Sequence, residues 1–209
     1  DSGRFTSDVK YFAGLGVFEA NQAVNQKLNE VGALLKEEDI THEYPHCWRC
    51  KQPVIFRATE QWFISMESNQ LREKALDSIE KDVKWLPSWG KERIYGMIAN
   101  RPDWCISRQL YWGHRIPVWY HKTTNEIYCN VEPPEDIENW SQDEDVLDTW
   151  ASSWLWAQDV FTTEEEQNYY YPTSLLVTAP DIIFFWVARM IMAGMKFMND
   201  VPFRDVYFT

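Results

Sequence analysis

The sequence is short of several things, and each shortage narrows the reading. It has four Cys in 209 residues, Cys47, Cys50, Cys105 and Cys129. That is too few for a disulfide framework at this length and points to a reduced, cytoplasmic setting. No apolar run reaches the roughly 18–20 residues of a membrane helix; the longest, "IIFFWVARMIMAGM", is broken by Arg189. No signal peptide is visible. The eight Gly form no phosphate-cradling loop. No Ser–His–Asp set and no His–Glu metal motif can be assembled, and there is no internal repeat or low-complexity tract. Positive charge is also short: 20 Lys and Arg stand against 32 Asp and Glu, a net charge of −12. A general nucleic-acid coat protein is therefore excluded. The chain opens on Asp and stops in a strand-like run, "DVYFT", which reads as a piece of something longer.

What is present is aromatic, with 12 Trp, a residue that serves cores and binding clefts alike. The charge is uneven. Lys84 to Lys122 holds seven basic and two acidic residues, whereas Glu132 to Glu166 holds twelve acidic and no basic ones. A local basic face can still meet a phosphate backbone; the acidic stretch reads as a solvated loop.

Helical spacing of Val17, Ala20, Val24, Leu28, Val31 and Leu35 predicts an amphipathic helix over 17–35, and a second follows at 69–83. Residues 40–66 suggest short strands around a turn. "RIPVWYHKTTNEIYC" predicts a β-hairpin turning at "KTTNE", and 131–145 an acidic loop. The last segment reads strand, helix, strand: a buried "SLLVTA" (174–179), a helix over 180–198 with Pro180 in its first turn, and "PFRDVYFT". This is a βαβ unit of a parallel sheet, so the fold class is α/β with a small mixed α+β region before it.

Three motifs bear on chemistry. "CWRC" is a CxxC, half of a tetrahedral zinc site. Cys47 and Cys50 are candidate ligands; Cys105, Cys129 or His46 could in principle complete the site, and otherwise the knuckle is a remnant. "KQPVIF" after it is not helical, which argues against a thioredoxin-type redox role. In the βαβ unit, the carboxyl edge of the sheet is where open α/β folds bind ligands. Thr178 and Asp181 belong at that edge, and Ile182 and Trp186, four apart, share a helix face. The plain alternative makes Ile183, Phe184 and Val187 core, with Trp186 capping it. Trp150, Trp154 and Trp156 either wall an apolar pocket or pack inside. In "DWCISRQLYWGHRIPVWY" (103–120), Trp104, Trp112 and Trp119 with Arg108, His114 and Arg115 read as a buried aromatic core, a metal site or a surface that grips a charged, planar ligand.

These stretches resemble a class I aminoacyl-tRNA synthetase of the isoleucine/valine/leucine subgroup over essentially all 209 residues. "YPHCWRCKQPVIFRATEQWFISM" and "WGKERIYGMIANRPDWCISRQ" are similar to isoleucyl-type members. "LYWGHRIPVWY", "QDEDVLDTWASSWLW" and "LLVTAPDIIFFWVARMIMAG…PFRDVYFT" are similar to valyl-type members. The seam falls just after "DWCISRQ". The resemblance implies the exit of an editing insertion over 1–66, a connective region over 67–130, and the second half of a Rossmann-like catalytic domain over 131–209. It implies ATP-dependent activation of valine or isoleucine, with Mg, and transfer to the tRNA 3′ end. Trp150 and Trp186 would wall the aliphatic pocket, Ile182 would narrow it, and Asp181 and Thr178 would lie near the amino acid and adenylate; Arg108, His114 and Arg115 would face tRNA or the adenylate, with Trp104 and Trp112 packed behind them. Zinc would sit at Cys47 and Cys50, with its other pair outside this sequence.

The departures matter too. No His-x-Gly-His signature and no KMSKS occur, the threonine-rich and Asp-containing editing motifs are missing, and Ala151 stands where the pattern has Phe. The chain is therefore expected to lack complete aminoacylation activity on its own. A half-domain with an open sheet edge is also a candidate for self-association.

Overall fold

The computed structural model describes residues 3–47 and 49–209, in two compact units, 1–59 and 60–209. In the first unit, a loop closes by Phe5 N–H to Leu15 O and Gly14 N–H to Phe5 O, both 2.9 Å. Helix α1 (Ala20–Glu30) follows and is shorter than the apolar spacing predicts. Gly32, at φ 70°, takes the left-handed conformation that ends helices, and Val31 and Leu35 are left exposed. Of the strands expected over 40–66, the described residues form the two-residue Phe63–Ile64, and a turn closes between Cys47 and Gln52. Cys47 N–H donates to Gln52 O and Lys51 N–H to Cys47 O, both 2.8 Å. A single bridge, His46 to Pro53, flanks it. Trp48 lies outside the described residues.

The second unit begins with β1 (Phe63–Ile64), α2 (Leu71–Lys81), β2 (Lys84–Leu86) and α3 (Trp89–Ala99). Four short strands follow: β3 (Trp104–Cys105), β4 (Ser107–Arg108), β5 (Val118–His121) and β6 (Ile127–Cys129). Strands β5 and β6 form the expected hairpin, pairing Val118 with Cys129 and Tyr120 with Ile127. The acidic stretch is not only loop. It supplies β7 (Trp140–Gln142), which pairs with the other edge of β5 because Trp140 packs on His121 and Tyr128. β8 (Val146–Leu147) then pairs antiparallel with β4. Two single helical turns, α4 (Trp150–Ser153) and α5 (Trp156–Asp159), precede α6 (Glu164–Tyr170).

The chain ends as the βαβ reading predicts. β9 (Thr173–Thr178) and β10 (Phe203–Phe208) pair in parallel, Val206 opposite Leu176 and Phe208 opposite Thr178. The helical stretch between them is not uniform. A 3₁₀ turn (Pro180–Ile182) leads to a π segment (Ile183–Val187), then α7 (Ala188–Ala193), then a second π segment (Gly194–Met198). β2 adds in parallel to the far side of β10, giving the order β2-β10-β9. This is the parallel sheet of an α/β domain.

Helices α2, α3 and α7 cover one face of this sheet. Ile79, Ile94, Ile98, Val187, Ile191, Phe203 and Val206 are fully buried there. β9 is half-covered, not buried as its composition predicts: Leu175 and Val177 are exposed, as is Tyr207 on β10. The period of two sends Leu176 and Val206 inward and these neighbours outward.

Candidate active site

The carboxyl edge of β9 runs straight into the Pro180–Ile182 turn. Pro180 sits where a helix's first N–H has no partner, so it starts the helix without cost. Thr178 is the last strand residue, 6% exposed, and its Oγ1 has no hydrogen-bond partner. Its carbonyl is used, accepting from Thr209 N–H at 3.0 Å. A buried hydroxyl without a partner costs about 1–3 kcal/mol; Ser153 Oγ, Gln158 Oε1 and Arg189 Nε are likewise buried without one among the described residues. Asp181 is exposed beside it, and Ile182 and Trp186 are half-buried.

Trp186 docks α4 onto the helix. Its Nε1–H donates to Ser153 O at 3.0 Å. Trp150, the first residue of α4, stacks on Phe185 with ring centres 5.8 Å apart and planes 20° apart. The consecutive residues Phe185 and Trp186 thus both hold α4, one through the Trp150 ring and one through the Ser153 carbonyl. Ile183 and Val187 are core, as the plain alternative has it, while Phe184 is half-buried under Arg101. The larger concavities of the described residues lie elsewhere. One of about 540 Å³ opens between Trp62, Tyr120 and Asp143. Neither it nor the two described next is lined by Thr178, Asp181, Ile182 or Trp186.

Arg108, His114 and Arg115 fall on two adjoining concavities. Arg108 and His114 line one of about 320 Å³ with Trp112, Asp148, Thr149 and Ser152. Arg115 lines one of about 850 Å³ with Tyr111, Trp112 and Trp140. The two arginines are not equally free. Arg108 donates to the carbonyls of Cys105 (2.9 Å) and Ser107 (2.7 Å) and pairs with Asp148 at 3.0 Å. Arg115 spends one N–H on Asp143 O, 2.6 Å. The expectation that Trp104 and Trp112 pack together behind these groups holds for Trp104 alone. Trp104 is buried, whereas Trp112 is 89% exposed and its neighbours Leu110 and Tyr111 are exposed too.

One buried ionic cluster escaped the sequence reading. Asp148, 7% exposed, accepts at a single oxygen, Oδ2, from Trp104 Nε1–H at 2.9 Å, and pairs there with Arg108 at 3.0 Å and Arg189 at 3.5 Å. Burial lowers the Arg189 pKa to about 10; Asp148 opposes that shift and Arg108 adds to it. Burial, with Arg189 nearby, lowers Arg101 to about 10 as well. Both stay charged at neutral pH. The signal was present: an arginine inside an apolar helix is almost never buried without a carboxylate partner.

At the "CWRC" turn, Cys47 is half-buried and Cys50 exposed. The Cys47 thiol pKa is lowered by the backbone N–H groups of Cys50 and Arg49 and by the Cys50 thiol. No group of three or more His, Cys, Asp or Glu that could hold a metal occurs among the described residues. Two thiols do not satisfy zinc's demand for about four ligands, so no zinc chemistry is assigned here. Nor does any helix among them have the length and apolarity to cross a membrane.

Residues 8–209 match the family of class I tRNA synthetases (I, L, M and V). The chain is 40% identical over 240 residues to an isoleucine–tRNA ligase of Nitratidesulfovibrio vulgaris, covering 99% of this chain and 25% of the relative. It is 44% identical over 213 residues to a valine–tRNA ligase of Bacillus licheniformis, covering 99% and 24%. A solved structure of Mycobacterium tuberculosis methionyl-tRNA synthetase bound by methionyl-adenylate aligns at a TM-score of 0.47 with 19% identity, over 78% of this chain and 28% of that one. The chain spans about a quarter of the length of its curated relatives, and with the match running through its parallel-sheet unit it belongs to the class I tRNA synthetases of the I, L, M and V group.

Proposed function

We propose that this chain forms the aliphatic amino-acid and aminoacyl-adenylate pocket of a valyl-tRNA synthetase, which charges tRNA at the expense of ATP with Mg. The carrying observation is the buried, unpartnered Thr178 hydroxyl at the carboxyl edge of a parallel sheet. A ligand polar group there would satisfy it. Asp181, exposed next to it, suits a protonated amino group. Trp150 and Trp186 supply the apolar walls, and Ile182 narrows the space between them. Arg115 and His114, with exposed Tyr111 and Trp112, suit the phosphates and unstacked bases of the tRNA acceptor end.

An isoleucyl-type pocket is the second reading, favoured by the comparable identities to isoleucine and valine ligases. Pocket size separates two substrates differing by a methylene by only about 1–3 kcal/mol. The two readings are told apart by titrating the chain with valyl- and isoleucyl-sulfamoyladenosine in a calorimeter. Tighter valyl binding supports the first reading and tighter isoleucyl binding the second; binding of neither at millimolar ligand refutes both. Because the chain carries neither His-x-Gly-His nor KMSKS, it has no group assigned to phosphate charge in the transition state. Amino-acid-dependent ATP–pyrophosphate exchange by this chain would overturn that part of the proposal.

A further inference from the structure

Asp148 stands two residues before Trp150 and reaches it by two routes. The first is local: Ala151 N–H donates to Asp148 O at 2.8 Å, closing the turn that launches α4. The second runs through space. The Asp148 carboxylate pairs with Arg189 at 3.5 Å, and Arg189 donates to Phe185 O at 3.2 Å. The Arg189 guanidinium lies 4.0 Å from the Trp104 ring centre and 5.7 Å from that of Phe185, and Phe185 stacks on Trp150. The two routes close a ring of contacts: Asp148, Arg189, Phe185, Trp150 and back along the chain.

The anchor of this ring is itself fixed. Asp148 N–H donates to Ile106 O at 2.7 Å, in continuation of the β4–β8 pairing. Trp104 Nε1–H and Arg108 hold the same carboxylate oxygen. The charges facing the carboxylate are Arg108 from β4 and Arg189 from α7, with Arg101 beyond them. A half-buried ring such as Trp150 has an apolar body and no hydrogen bond of its own to set its angle. Packing against a neighbouring side chain must do so, and Phe185, stacked on it, is that neighbour.

We infer that Asp148 is a positioning residue for the Trp150–Phe185 aromatic wall, acting through Arg189 and the first turn of α4. The inference rests on the proposed pocket only for what the wall contacts. The placement of the wall is a property of the free chain.

The test uses the full chain, ¹⁵N-labelled, with the Trp150 indole cross-peak assigned from Trp150→Phe. Asp148→Asn keeps the size and an acceptor but removes the charge that holds Arg189. The expected result is a displaced Trp150 cross-peak, and affinity for valyl-sulfamoyladenosine lowered roughly ten- to hundredfold, the scale on which small misplacements of binding groups act. Asp143→Asn is the control, since that carboxylate accepts from Trp62 Nε1–H (2.9 Å) and Tyr120 O–H (2.8 Å), away from the wall. It is expected to leave the Trp150 cross-peak in place. If Asp148→Asn folds and Trp150 does not move, the inference is wrong. If that variant does not fold, Arg189→Lys, which keeps the charge but loses the planar stack, must displace the same cross-peak; an unmoved peak refutes the inference. A parent chain that binds no analogue refutes the pocket and leaves the cross-peak test of the positioning role intact.

Discussion

The guanidinium of Arg189 lies 4.0 Å from the centre of the Trp104 indole, whose N–H is bonded to the carboxylate that Arg189 also meets. One cation thus stitches the last helix to residues 103–108. Removing one member of a buried pair typically costs about 3–5 kcal/mol. Asp148 keeps Arg108 and the Trp104 indole, so Arg189→Met is expected at the lower end, about 3 kcal/mol. Urea unfolding measures it; a change within about 0.5 kcal/mol, as at an ordinary surface site, would remove the stitch from the account.

Gly194 should not tolerate a methyl group. In an exposed helix Gly→Ala gains about 0.8–1 kcal/mol. Here the added Cβ would lie 2.7 Å from Asp200 O and from the Tyr171 hydroxyl, which are themselves hydrogen-bonded at 3.0 Å. Overpacking costs about 1–3 kcal/mol, so Gly194→Ala is expected to lower the melting temperature. A rise in melting temperature would mean that the approach of the 171, 194 and 200 segments is looser than described.

How much of this could be read from the sequence depends on range. The β9–helix–β10 unit was legible because β-branched runs, Pro180 and helical spacing are local signals. β2 was not: "KWL" is three residues long, and its partner β10 lies at the far end of the chain. β7 was hidden inside an acidic stretch because Trp140 supplies its packing. The π segments depend on hydrogen-bond register, which composition does not encode. At the candidate site, spacing puts Thr178 at the strand's end and Trp186 on the helix after it, while a pocket role for either comes only from the resemblance. The pairing of Arg108 with Asp148 could not, since a basic residue in a basic stretch looks free until its carboxylate is found.

Cys47 should react as an acidified thiol. Backbone N–H groups of Cys50 and Arg49 and the Cys50 thiol stabilise its thiolate, so its pKa lies below that of an ordinary thiol. Lowering the pKa enlarges the thiolate fraction at a given pH below the ordinary midpoint. Iodoacetamide labelling of Cys47, followed by peptide mass spectrometry from pH 6.5 to 9, should reach half-maximal rate at lower pH in the native chain than in urea. Identical midpoints would show that the turn does not hold these donors in solution.

The proposed tRNA face predicts a salt dependence that separates two arginines. Affinity for single strands falls with a slope of about −0.7 per phosphate contact. Arg115→Ala should flatten that slope by about one contact. Arg108→Ala should chiefly lower stability, because Arg108 is held by Asp148 and two carbonyls. Fluorescence titration of the chain with tRNA from 50 to 200 mM salt reads both. Equal slopes for the parent and Arg115→Ala would remove Arg115 from the face.

The most direct measurement of the central claim is a comparison of Thr178→Val with the parent chain. The hydroxyl is buried and unpartnered in the free chain, so replacing it by a methyl should leave stability unchanged or raise it slightly. If the carboxyl edge of β9 holds an aminoacyl-adenylate, the same change should weaken valyl-sulfamoyladenosine binding about tenfold, roughly 1.4 kcal/mol. Calorimetric binding together with urea unfolding of both proteins gives the two numbers. Preserved stability with weakened binding is the predicted result. Saturable binding of equal strength in both would contradict the account, because the ligand would then sit away from Thr178.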